Sequence, residues 1–99
     1  MSRVIIQPRA QTDMDEIWTY IAQRNRQAAD RLSDRIVERF EMLGRQPLIG
    51  ESFGHISPGV RRVVEGNYVS YYEIEADVVF IRRVLHGARD LGRFFGPQD

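Results

Sequence analysis

Hydrophobic and polar positions change their period along this chain, and each change marks an element. Residues 3–7 (RVIIQ) form a short, β-branched apolar run stopped by Pro8, which reads as a strand. From Arg9 the apolar positions Ala10, Met14, Ile17, Trp18 and Ile21 recur at three- and four-residue intervals, one stripe of a helix that frays near Arg24. Asp13, Asp15 and Glu16 lie near its start, where carboxylates suit the helix dipole. Asn25 is a candidate N-cap for a second helix with the stripe Ala28, Ala29, Leu32, Ile36, Phe40 and Leu43. Its remaining faces carry Asp30-Asp34-Glu38 and Arg31-Arg35-Arg39, spaced so that Arg31–Asp34 and Arg35–Glu38 pair one turn apart on a solvated surface. Val37 and Met42 fall off the stripe, as Tyr20 does on the first helix, so exposure is expected for all three. Gly44 and Pro47 are expected to end the second helix. Two helices separated by a tight break make an antiparallel helical hairpin.

Residues 44–59 then hold six glycines and prolines, a long connection for a small domain. Three strands follow closely, residues 60–65, 68–75 and 78–85, with Gly66-Asn67 and Ala76-Asp77 as hairpin-length turns. Ala76 is a poor residue for such a turn. The last strand is apolar on both faces, with Val78, Phe80 and Val84 on one side and Val79, Ile81 and Leu85 on the other. That pattern predicts a central strand covered from both sides. The helical hairpin covers one side, leaving the other to the C-terminal segment or a partner. Residues 88–95 read as a short helix or an extended arm. The expected fold class is therefore α+β in one domain spanning residues 1–99: an N-terminal strand, an antiparallel helical hairpin packed on a small, mostly antiparallel sheet, and a short C-terminal segment.

Composition narrows the chemistry. At 99 residues, 42 % hydrophobic and 28 % charged, the chain is an ordinary globular domain. It has no cysteine, which removes disulfides and thiolate metal sites. His55 and His86 lie far apart and no carboxylates have ligand-like spacing, so neither metal nor cofactor is expected. No apolar run approaches the roughly 20 residues that span a bilayer, and no signal-peptide pattern is present, so a soluble cytoplasmic protein is expected. Fourteen basic residues balance fourteen acidic ones, and all the basic ones are arginine. Neutrality argues against a domain held to its target mainly by phosphate contacts.

The stretch from Val78 to Phe95 (VVFIRRVLHGARDLGRFF) divides in two. Residues 78–85 are explained by burial. Residues 86–95 carry a histidine, two arginines and two adjacent phenylalanines to the end of the sheet, the residue types that dominate binding surfaces. In order along the chain stand Pro8-Arg9-Ala10, residues 13–22 (DMDEIWTYIA), Asn25 with Ala28-Ala29, Leu32 to Ile36, Pro47 and Gly50, Gly59-Val60-Arg61-Arg62, Tyr68 to Tyr72, and Arg83-Val84-Leu85-His86-Gly87-Ala88-Arg89-Asp90. This ordered set resembles the ParE toxins of the RelE/ParE superfamily of toxin–antitoxin modules. The resemblance implies a helical hairpin on a small antiparallel sheet.

It also implies two possible targets. The branch similar to RelE cleaves mRNA on the ribosome and needs cationic and proton-transfer groups. Its basic pair would fall at Ala88 and Arg89 and its tyrosine near Phe95, so only Arg89 matches. His86 is the remaining candidate acid or base. The branch similar to ParE proper binds DNA gyrase, traps its cleaved-DNA state and needs no catalytic group. The neutral charge and the missing tyrosine fit that branch, with His86, Arg89, Arg93, Phe94 and Phe95 as candidate target contacts. The resemblance further implies neutralisation by a ParD-type antitoxin, whose N-terminal region binds operator DNA. Tyr20, Val37, Met42, Arg82 and Arg83 are the candidate antitoxin contacts.

Overall fold

A computed structural model describes residues 2–87. In chain order the elements are β1 (Arg3–Ile6), α1 (Pro8–Ala22), α2 (Arg26–Arg45), a single 3-10 turn (Pro47–Ile49), β2 (Glu51–Ser52), β3 (Arg61–Glu65), β4 (Tyr68–Glu75) and β5 (Val78–His86). Pro8 stands at the first helical position of α1, where its missing N–H is no loss. Asn25 caps α2 as expected, its side-chain oxygen accepting the Ala28 N–H at 3.0 Å. The Trp18 indole N–H donates to Asp30 across the hairpin at 2.8 Å.

The strands form one sheet in the order β1-β5-β4-β3-β2. β1 runs parallel to β5, and every other pairing is antiparallel. The hairpin of helices is the crossover that a parallel β1–β5 pair requires. Its apolar stripe, Ala10 with Leu32, Ile36, Phe40 and Leu43, packs on Tyr68, Tyr72, Val79, Ile81 and Val84 of the sheet. β5 is central, as its apolar sequence predicts.

Its facial alternation is different, however. Tyr71 pairs with Arg83 and Tyr72 with Ile81, so Arg82 is an extra residue in a β-bulge. The bulge shifts the alternation by one. Val84 thereby joins Val79 and Ile81 on the helix side, while Leu85 turns to the opposite face with Phe53, Val60, Val69 and Tyr71. That second face is covered in part by the 53–60 loop, which folds onto the sheet through the Phe53 N–H donating to the Val60 carbonyl at 2.8 Å. The Phe53 ring meets Tyr71 at 5.3 Å, and the Arg62 guanidinium lies 4.7 Å over it. The C-terminal segment, the other expected cover, lies outside the described residues.

Other expectations change too. Asp13, Asp15 and Glu16 fall beyond the first turn of α1, so they do not serve its dipole. Gly44 lies inside α2 and does not end it. A Cβ there would meet the Ser2 carbonyl at 3.1 Å and Val4 at 3.2 Å, so its role is to let β1 approach the helix. Arg35 reaches Glu65 on β3 at 3.3 Å, and Arg39 reaches the same carboxylate at 3.2 Å; neither ion pair runs along the helix.

The β4–β5 turn places Ala76 at φ 48° and Asp77 at φ 64°. A left-handed alanine carries the Cβ–carbonyl repulsion that glycine escapes. Ala76→Gly is therefore expected to raise the unfolding free energy by about 0.5–1 kcal/mol in urea titration. An unchanged or lower value would show that the turn holds no such strain.

Candidate functional site

β1 ends at Ile6, whereas β5 continues to His86. Beyond Ile81 the flank of β5 facing β1 therefore lacks a strand among the described residues, and α1 passes there instead. Asp13, only 5 % exposed, supplies what the missing strand would. One of its carboxylate oxygens accepts the Val84 N–H at 3.0 Å and the Arg83 Nε–H at 2.8 Å, and the other accepts from Arg83 Nη2 at 3.0 Å. The bidentate fork fixes the strand end to the helix. Arg82 points elsewhere. It donates to Glu73, Glu75 and Gln7 at 2.8–2.9 Å and lies 5.2 Å over the Phe80 ring. Both arginines expected to meet a partner are thus engaged within the chain.

This clip delivers His86 to the mouth of a cleft of about 440 Å³, between the hairpin of helices and the β3–β4 turn. Tyr20, Ile21, Leu32 and Tyr68 also line it. The His86 ring stands edge-on to Tyr68, with centroids 5.4 Å apart and planes at 87°. The Gly87 N–H donates to the Asn67 carbonyl at 2.8 Å, closing the strand end against the turn. Tyr20, 62 % exposed, and His86, expected to serve different partners, share one cleft. Arg89, Arg93, Phe94 and Phe95 lie outside the described residues.

A second groove, of about 490 Å³, runs between α2 and the β3 edge. Met42, expected to be exposed, is half-buried and lines it with Ile49, Val63, Val64, Arg39 and Arg62. Val37 is exposed on α2, as expected, and lines neither cavity. Sequence reasoning passes over Leu48, Ile49 and Val64, all strongly exposed apolar residues. The signal for the first two is their place in the Gly- and Pro-rich connection. For Val64 it is the second valine of RRVVE, which alternation puts on the face away from the helices.

On that face Arg62 pairs with Glu51 at 2.6 Å and neighbours the Tyr71 phenol. Burial pushes the Tyr71 phenol above its ordinary value, with Arg62 opposing the shift. A phenol held neutral there is a packing and hydrogen-bonding group. Among the described residues, no three His, Cys, Asp or Glu side chains are placed to hold a metal ion. No described helix is long and apolar enough to cross a membrane.

The profile of the family described as "ParE toxin of type II toxin-antitoxin system, parDE" matches residues 4–91. The chain belongs to the ParE toxin family. Toxin ParE1 of Caulobacter vibrioides is 38 % identical over 80 residues, covering 79 % of this chain and 81 % of that protein. Toxin ParE1 of Mycobacterium tuberculosis is 30 % identical over 98 residues, covering 93 % and 96 %. Solved structures share the fold. One is a chain of the chromosomal ParDE toxin–antitoxin system from P. aeruginosa, with TM-score 0.73, 20 % identity and coverage of 87 % of this chain and 96 % of that one. Another belongs to the RelBE2 toxin–antitoxin complex of Mycobacterium tuberculosis, with TM-score 0.68, 24 % identity and coverage of 86 % and 96 %. The two helices on a five-stranded sheet are thus the fold of this superfamily, and the chain is a ParE-type toxin of a type II system.

Proposed function

We propose that this toxin acts by binding DNA gyrase, with no catalytic group of its own, and that a ParD-type antitoxin neutralises it. The observation that carries the reading is the family match over residues 4–91 in a chain whose Ala88 and Phe95 stand where the RelE-like branch would need a cation and a phenol. A phenylalanine ring transfers no proton, and an alanine methyl stabilises no developing phosphorane charge. The zero net charge also suits a protein target better than an RNA one.

The target surface in this reading is the C-terminal end of the sheet. His86 stands at its base beside the Tyr20 cleft, and Arg89, Arg93, Phe94 and Phe95, which follow in the sequence, are the further target contacts of this reading. Tyr20, Val37 and Met42 are antitoxin contacts. Arg82 and Arg83 serve that surface through the ion pairs that fix β5. Operator DNA is met only through the antitoxin, and the site of action is the cytoplasm. The mechanism needs neither metal nor cofactor.

The tail separates binding from folding. Removing residues 88–99 is expected to abolish growth arrest in the expressing host while antitoxin affinity stays within about threefold. Retained arrest would remove the tail from the target surface. Loss of cooperative unfolding in the truncated chain would assign the segment to the core instead.

A further inference from the structure

Two consecutive arginines in a central strand create a conflict. Neighbouring residues of a regular strand point to opposite faces, so either Arg82 or Arg83 would enter the layer beneath the helices. Continuing the Tyr72–Ile81 register without a break sets Arg82 against Tyr71 and Arg83 against Ser70. Ser70 is 5 % exposed and lies on the helix side of the sheet, opposite Val84. An arginine in that place would bury its charge among apolar side chains. The bulge removes the conflict. Arg83 takes the place opposite Tyr71, and Val84 takes the one opposite Ser70. Arg82, the extra residue, donates to Glu73, Glu75 and Gln7.

The apolar residues do not make this choice. In an unbroken register Val84 and Leu85 would only exchange faces, Val84 opposite Val69 and Leu85 opposite Tyr68. The consequence falls on His86. Unbroken, the strand would carry it opposite Asn67, on the face away from the helices. The bulge sets it opposite Tyr68 instead, with the two rings edge-on at 5.4 Å in the cleft lined by Tyr20, Ile21 and Leu32. Bulges recur beside functional sites because they re-aim a side chain.

We infer that Arg83 is a positioning residue for His86. Its exclusion from the helix side fixes the bulge, and the bulge aims the imidazole into the cleft it shares with Tyr20. Asp13 secures the result by accepting the Val84 N–H and the Arg83 fork. The inference rests on the reading of His86 as part of the target surface and adds what sets its direction.

The test uses the full chain carrying Arg83→Leu. Leucine is stable beneath the helices, so the strand is expected to adopt the unbroken register. The nuclear Overhauser contact between the His86 and Tyr68 rings should disappear, and the expression level needed for growth arrest should rise about tenfold. Deleting Arg82 in the same variant removes the extra residue and returns His86 to the place opposite Tyr68. The double variant is expected to regain the ring contact and at least about fivefold in potency, a rescue that loss of a direct arginine contact would not allow. A folded Arg83→Leu chain that keeps the ring contact overturns the inference. So does one that loses the contact yet arrests growth at the wild-type level, or a double variant that does not regain both. If Arg83→Leu does not fold, deletion of Arg82 from the wild-type chain decides. The ring contact is then expected to persist, and its loss overturns the inference. A wild-type chain that causes no growth arrest is a different result. It sinks the toxin reading, and the ring contacts alone then decide whether Arg83 positions His86.

Discussion

Asp13→Ala is expected to lower the unfolding free energy by about 3 kcal/mol, a large share of what a domain of this size holds. The carboxylate is 5 % exposed and satisfies three donors, the Val84 N–H and two guanidinium N–H groups of Arg83. Its removal leaves the Val84 N–H buried without that partner, and takes a bidentate carboxylate from a guanidinium whose side chain is only 18 % exposed. Asp13→Asn separates the two contributions. An amide oxygen still accepts one bond but carries no charge, so about half the loss is expected to return. The effect should reach function. His86 lies three residues beyond Arg83, and the strand between them is fixed to α1 by this contact. Guanidinium chloride titration followed by circular dichroism measures the loss, and a loss under about 1 kcal/mol would reduce the contact to an ordinary surface ion pair.

Gly50→Ala is expected to cost about 2–3 kcal/mol, from overpacking. An added Cβ would overlap the Tyr72 hydroxyl, approach Tyr72 Cε1 to 2.7 Å and the Arg62 carbonyl to 2.8 Å, and one of these obstacles is backbone. The Tyr72 ring is fully buried and cannot retreat. Its hydroxyl accepts the Gly50 N–H at 3.0 Å and donates to the Pro47 carbonyl at 2.6 Å, holding the 3-10 turn on the sheet. Moving that turn displaces Leu48 and Ile49, the exposed apolar residues it carries. Tyr72→Phe keeps the ring and is expected to cost about 1–2 kcal/mol for the lost hydrogen bonds. The double variant should lose less than the sum of the two, because the phenyl ring lacks the oxygen that the new methyl strikes. Strict additivity would place the strain elsewhere.

These two positions show where local pattern stops informing. The helices were legible because their stripes and the Asn25 cap are local, and the hairpins because two-residue turns separate alternating runs. Asp13 reads locally as a helix-start acid, yet its partners lie 70 and 71 positions away. Gly44 and Gly50 read as breakers, yet each admits a neighbour remote in sequence, the first strand and the Tyr72 ring respectively. The two-residue β2 is too short for a period and exists through its pairing with β3. The bulge at Arg82 was hidden because an apolar run looks the same in either phase, and it moved Val84 to the helix side.

The candidate site was legible to a similar depth. Exposure of Tyr20 and Val37 followed from their place off the stripes. The engagement of Arg82 and Arg83 did not, because Gln7 and Asp13 are brought to them only by the parallel β1–β5 pairing and the passage of α1. Nor did the shared cleft of Tyr20 and His86, which the β5 end and the β3–β4 turn create together.

The central claim is that this ParE-type toxin disables gyrase by binding it. The most direct measurement adds the purified protein to a gyrase supercoiling and cleavage reaction, and in parallel to a translation extract in which mRNA integrity is followed. The expected result is lost supercoiling with accumulation of gyrase-linked DNA breaks, reversed by the antitoxin, and intact mRNA. Cleaved mRNA with gyrase activity unchanged would contradict it.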